Sequence, residues 1–204
     1  NLPYCEPMAA RNPGGGRHLP PYGGCLLGSI NMARLVSDPF GDNPALDVPM
    51  MTELVATAVR MMDNVVDASN FPLDAQAQEA SAKRRIGLGV TGLADALLMV
   101  GLRYGSEAAA RQTDQWMHAI ARAAYLASVD LAKEKGAFPL FDAEKFLSSG
   151  AMQDMDADVC DAIRQHGIRN ALLPSIAPTG TISLYRGYGA SGIAPVVPLS
   201  LLHH

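Results

Sequence analysis

The chain has 204 residues, 49% hydrophobic and 18% charged, which excludes a disordered chain and leaves enough apolar material for a buried core. A formal net charge of −4 without a basic stripe argues against a nucleic-acid partner, and no apolar run reaches membrane-spanning length. Cys5, Cys25 and Cys160 are too widely and unevenly spaced for a disulfide framework or a zinc site, so a reduced, cytoplasmic setting is the simplest reading.

The chain opens at Asn1, mid-pattern, without an initiator Met or a signal peptide, and reads as a piece of a longer protein. Residues 1–24 hold five prolines and five glycines, among them Gly14-Gly15-Gly16 and Pro20-Pro21, and are expected to be loop or extended chain. Cys25-Leu26-Leu27-Gly28-Ser29-Ile30 is a short apolar run, compatible with a buried strand or a wedged loop, and Pro39 to Pro49 is a linker. From Met50 to Val66, the residues Met51, Leu54, Val55, Ala58, Met62 and Val65 share one helical face, and Pro72 stops the pattern.

Gln76–Arg85 reads as a polar helix whose Arg84-Arg85 end is solvated, and Leu93–Val100 as a buried helix. Ser106–Lys135 is the longest expected helix, capped by Ser106 and ended by Gly136 and Pro139, with Trp116, Ile120, Ala124, Ala127 and Leu131 inward. Short helices follow at Asp142–Leu147 and Ala157–Gln165. Ala171–Ala177 reads as a buried strand that leads into Pro178-Thr179-Gly180-Thr181-Ile182-Ser183. Strand is thus expected only near Cys25–Ile30 and Ala171–Ala177.

Three features invite chemistry. Thr179–Ser183 follows a strand with glycine and hydroxyl residues, so several backbone N–H groups and hydroxyls could converge on a phosphate; an ordinary capped turn has the same composition. Gly87-Leu88-Gly89-Val90-Thr91-Gly92 matches the dinucleotide pattern GxGxxG. Lys83-Arg84-Arg85 replaces the preceding strand, however, and the next segment is helical, so a nicotinamide site is the weaker reading and a helix start packed against a neighbour the stronger. Cys25, like Cys5 and Cys160, reads locally as a small buried hydrophobe. His18, His118 and His166 share no metal-ligand spacing and are expected exposed; no metal site is expected.

Read in order, three long segments resemble the class II, adenosylcobalamin-dependent ribonucleotide reductases. They are Asn1-Leu2-Pro3-Tyr4-Cys5-Glu6 through Asn12-Pro13 to Leu19–Asn31, then Lys83–Leu97, then Ser175–Leu184. The resemblance implies an α/β fold, part of a ten-stranded barrel, here mostly helical with a finger loop. It divides the chain into a finger-loop region at 1–36, a helical block at 50–166 and a phosphate-loop region at 171–197. It implies reduction of a ribonucleotide, di- or triphosphate, by a thiyl radical that adenosylcobalamin initiates, with a thioredoxin-like or dithiol reductant for the parent enzyme and neither nucleic acid nor membrane as partner.

By the same resemblance Asn12 holds ribose hydroxyls, Cys25 is one of two redox cysteines, and Thr179, Gly180, Thr181, Ile182 and Ser183 take the substrate phosphates. The family's Asn-Pro-Cys-Gly-Glu falls on Asn12, Pro13, Gly14, Gly15 and Gly16, so Gly14 replaces the radical cysteine and Gly16 the glutamate. Downstream, Asn-Val-Ser-Ser-Gly-Ile-Glu-Pro reads Tyr188-Gly189-Ala190-Ser191-Gly192-Ile193-Ala194-Pro195. The alternative is a catalytically dead relative that binds nucleotides or only scaffolds.

Overall fold

A computed structural model describes residues 9–11, 18–24, 26–185 and 189–196. β1 (Ala10–Arg11) pairs antiparallel with β2 (His18–Leu19), bracketing residues 12–17 in sequence. β3 (Leu27–Asn31) leads into a 3-10 helix (Met32–Leu35), which the Asn31 side chain caps by accepting from Ala33 N. β4 (Val36–Ser37) and β5 (Ala45–Leu46) form a small antiparallel pair.

α1 (Val48–Ala68) starts where Asp47 accepts from Met50 N at 2.9 Å, with a proline in the first turn. Its buried face is Met51, Val55, Val59, Met62, Asp63 and Val66. Leu54 and Val65, expected inward, are 41% and 37% exposed: the stripe that meets α4 is turned slightly from the one read in the sequence. α2 (Asp74–Lys83) ends where Arg84 takes a left-handed φ of 48°.

β6 (Gly87–Thr91) corrects two expectations. The glycine-rich segment is a strand, not a helix start, and strand therefore occurs inside the helical block. β6 lies parallel to β3, Leu27 opposite Gly87 through Asn31 opposite Thr91, and all five of its residues are buried. A strand covered on both sides needs no polar–apolar alternation, which is why its period carries no strand signal. On its other edge runs 171–175, where Ile86 N donates to Leu172 O, Leu88 N to Leu173 O and Ser175 N to Leu88 O. Only a bridge at Pro174 forms there, so the strand expected over Ala171–Ala177 reduces to an extended segment in a parallel arrangement. Gly89 permits the approach: a Cβ there would meet the Ser175 carbonyl oxygen at 2.2 Å.

α3 (Leu93–Met99) follows Gly92, and α4 (Glu107–Lys135) is the longest element, with Ser106 Oγ accepting from Ala109 N. α5 (Ala143–Leu147), α6 (Gly150–Gln153) and α7 (Ala157–His166) pack beyond it, and α8 (Gly180–Tyr185) is the last helix among the described residues. The core runs from α1 and α4 across β3 and β6 to Ile168–Leu173. The result is α/β and mostly helical. No helix among the described residues is long and apolar enough to cross a membrane.

Candidate functional site

Among the described residues, polar groups enter the interior at two places. The first is built on Asp63, which is wholly buried on the otherwise apolar face of α1. Arg84 Nε donates to Asp63 Oδ1 at 2.8 Å, and its two Nη atoms pair with Asp67 at 2.7 and 2.9 Å. Asn170 Nδ2 donates to Asp63 Oδ1, and Ser128 Oγ to Asn170 Oδ1. Burial pulls the Arg84 guanidinium down, but its bonds to Asp67 and Asp63 outweigh that and hold it above its ordinary pKa. Beside it, burial raises the Glu79 carboxyl, while hydrogen bonds from Lys83 and Arg85 bring it below its usual value. The solvated end expected at Arg84-Arg85 is thereby overturned: both are buried, because carboxylates from α1 and α2 neutralise them inside the fold. The legible signal was Asp63, an acid within an apolar helical stripe. This network joins α1, α2, α4 and residues 168–171, and its charges satisfy one another.

The second place is a chain of hydroxyls at the C-terminal end of β6. Gly192 N donates to Thr179 Oγ1 at 2.6 Å, Thr179 Oγ1 to Thr91 Oγ1 at 3.2 Å, and Thr91 Oγ1 to the Ala190 carbonyl at 2.9 Å. Gly92 N reaches that carbonyl at 2.7 Å, and Ala190 N donates to Asp95 Oδ2 at 2.6 Å. Ser183 Oγ lies 2.6 Å from Ser191 Oγ. Two loops, 177–183 and 189–193, are thus laced together over Thr91. Thr179 has a φ of 52°, rare for a β-branched residue, and is held there by the bonds of its own hydroxyl.

Thr179 and Ser183 are buried in this lacing, whereas Gly180, Thr181 and Ile182 face solvent. The first backbone bond of α8 is Ser183 N to Thr179 O, so the preceding N–H groups have no partner within the helix. An anion set against Gly180–Ile182 would meet amides and the Thr181 hydroxyl.

Of the residues singled out in the sequence, Thr179 to Ser183 come together in this turn. Asn12, Gly14, Gly16, Cys25 and Cys5 lie outside the described residues, and so does their expected convergence with the turn. Gly24 and Leu26, which flank Cys25, line a cavity with Val66, Phe71, Glu79 and Arg85 at the opposite end of the β3–β6 pair. Cys160 is half-buried on α7, its Sγ toward the carbonyls of Met152 and Met155. His118 contacts Asp156 across α4 and α7. Among the described residues no group of His, Cys, Asp and Glu is arranged to hold a metal. Thr91 and Asp95 escaped the sequence reading because the glycines around Thr91 drew attention to a dinucleotide pattern; an acid in the first turn of α3 was the available clue.

The family described as "Ribonucleotide reductase, barrel domain" matches residues 6–200. The chain belongs to this ribonucleotide reductase barrel family. It is 41% identical over 193 residues to the vitamin B12-dependent ribonucleoside-diphosphate reductase of Mycobacterium tuberculosis (strain CDC 1551 / Oshkosh), covering 95% of this chain and 25% of that protein. It is 34% identical over 197 residues to the protein of the same name from Thermoplasma acidophilum, covering 97% of this chain and 23% of the relative. The ribonucleoside-diphosphate reductase subunit alpha of Chlamydia muridarum is 36% identical over 182 residues, covering 78% of this chain and 17% of its own. The chain thus spans about a quarter of the length of its vitamin B12-dependent relatives. Within the reductase barrel, the described residues form a mostly helical α/β portion with the hydroxyl-laced turn at one strand end.

Proposed function

We propose that this chain is the portion of a ribonucleotide reductase catalytic chain that seats the substrate's phosphates, in a family that reduces ribonucleotides to deoxyribonucleotides. The observation that carries the reading is the turn Thr179–Ser183: inner hydroxyls fixed by Thr91, Gly192 and Ser191, outer amides and the Thr181 hydroxyl presented to solvent. Preorganised N–H and O–H donors suit a phosphate dianion and need no basic side chain. Asn12 is assigned to the ribose hydroxyls and Cys25 to the dithiol that reduces the 2′ position and is recharged by a thioredoxin-like or dithiol partner. The domain division at 1–36, 50–166 and 171–197 and a cytoplasmic location belong to the same proposal.

Adenosylcobalamin is the cofactor to which the vitamin B12-dependent relatives point, and it supplies a radical that a thiol must receive. The residues present do not fit that role. Position 14 is glycine, and Cys160 is packed on α7, outside the lacing of the candidate turn. The chain as it stands is therefore read as a nucleotide-binding member that does not turn over. Gly14 and Gly16 are the specific observation behind that second reading.

Calorimetric titration with cytidine 5′-diphosphate and with cytidine tests the phosphate reading. The diphosphate binds and cytidine does not, and Thr181→Ala weakens the diphosphate by about tenfold, the scale of one hydrogen bond to a charged group. Equal binding of cytidine and its diphosphate would overturn it. In a full-length reductase carrying this segment, adenosylcobalamin and a dithiol should give no deoxynucleotide. Gly14→Cys alone should fall short of full rate because Gly16 leaves the 3′ hydroxyl without a carboxylate, and Gly14→Cys with Gly16→Glu is the smallest change expected to recover turnover.

A further inference from the structure

We infer that Thr91 and Asp95, which lie outside the candidate turn, are the positioning residues that set its donors for phosphate; this rests on the reading of Thr179–Ser183 given above. Thr91 closes the glycine-rich segment that fails as a dinucleotide loop, and the structure gives that segment another task. The hydroxyl chain has one direction, Gly192 N–H to Thr179 O–H to Thr91 O–H to the Ala190 carbonyl. Each hydroxyl in it accepts once and donates once. Thr91 adds a bridge from β6 to the direct Gly192–Thr179 and Ser183–Ser191 bonds between the loops, because it accepts from the first loop and donates to the second. It is 2% exposed, so no solvent water is at hand to replace its hydroxyl.

Asp95 acts on the same point from the other side. Its Oδ2 accepts Ala190 N–H at 2.6 Å, so both backbone polar groups of Ala190 are fixed, one by Asp95 and one by Thr91. With Ala190 fixed, the adjacent Ser191 hydroxyl stands against Ser183 and the Gly192 amide against Thr179. Thr179 sits in a backbone region that disfavours threonine, and its place immediately before Gly180 sets the direction of the Gly180–Ile182 amides. Without the Thr91 hydroxyl, the Thr179 hydroxyl keeps only the Gly192 contact, and the turn has a reason to relax out of that geometry.

The test is cytidine 5′-diphosphate binding by the whole 204-residue chain, read by calorimetry beside thermal melting and backbone amide spectra. Thr91→Val keeps the shape and removes the hydroxyl; affinity falls by about tenfold, while Thr91→Ser stays near the original value. Asp95 is half-exposed, so Asp95→Ala can be made without opening the core; it weakens binding by about fivefold, and Asp95→Asn, which keeps an acceptor, restores most of it. In the weakened variants the Gly180–Ile182 amide signals shift before any ligand is added. If Thr91→Val does not fold, the Asp95 pair and Thr91→Ser decide the matter. Binding unchanged in Thr91→Val or Asp95→Ala overturns the positioning role and leaves the phosphate reading standing. No binding by the unmodified chain removes the phosphate reading and the positioning role with it. Equal loss in Thr91→Ser and Thr91→Val, without amide shifts at Gly180–Ile182, assigns Thr91 to packing alone and overturns the proposal.

Discussion

The Asp63 network and the Thr91–Thr179 lacing are both polar and largely buried, yet they are built to opposite ends. Around Asp63, full charges from four segments neutralise one another, and Asp63 and Arg84 are almost wholly shut from solvent. Around Thr91 every interior group is neutral except the half-exposed Asp95, and donors remain facing outward at Gly180–Ile182. A satisfied charge network has nothing left for a ligand, while a hydroxyl network consumes one side of its turn and presents the other. The contrast separates a polar cluster that holds the fold from one proposed to seat a phosphate.

The largest test of that contrast is Asp63→Ala. It leaves the buried Arg84 guanidinium with one carboxylate, the half-exposed Asp67, and the carbonyl of residue 63, and should cost about 3–5 kcal/mol in urea unfolding. The nucleotide affinity of the protein that remains folded should not change; a lowered affinity would break the separation of the two regions. Gly89→Ala comes next, at about 1–3 kcal/mol, because the new methyl must push the Ser175 carbonyl away. Here stability and nucleotide binding should fall together, since 175–179 leads straight into the turn.

Thr179→Gly sharpens the comparison further. Glycine relieves a left-handed strain of about 1 kcal/mol and loses hydrogen bonding of about the same size, so the unfolding free energy should hardly move. Affinity for cytidine 5′-diphosphate should nonetheless fall, because the hydroxyl chain is cut. The smallest effect belongs to Asp158, whose carboxyl the Arg122 guanidinium lowers from its ordinary 3.8 to about 2. Its contribution is complete above pH 4 and is lost as pH falls through about 2. Both partners are on the surface, so the change should show only as faster amide exchange at the start of α7 between pH 4 and 2, with the turn's spectrum unaffected.

The helices were legible because their signals are local: Ser106 and Asp142 cap α4 and α5, and Trp116, Ile120, Ala124 and Leu131 repeat at helical spacing toward the core. β6 was not, since a strand buried on both faces and rich in glycine has no alternation to read, and its partners, β3 and 171–175, are remote in sequence. The turn at Thr179–Ser183 was visible in its composition and in the family resemblance. What fixes it was not, because Thr91 and Asp95 act on it through tertiary contacts to Thr179 and Ala190 that lie 88 to 99 residues away in sequence. Arg84-Arg85 was misread for the same reason: the carboxylates that make their burial tolerable are Asp63 and Glu79, on two different helices.

The most direct measurement is a backbone amide titration of the chain with cytidine 5′-diphosphate. The expected result is a contiguous set of shifts at Gly180–Ser183, spreading to Thr91 and to Ala190–Gly192, while Asp63, Arg84 and Asn170 stay still. Shifts centred on the Asp63 network or on the α4–α7 contact, with Gly180–Ser183 unmoved, would contradict it.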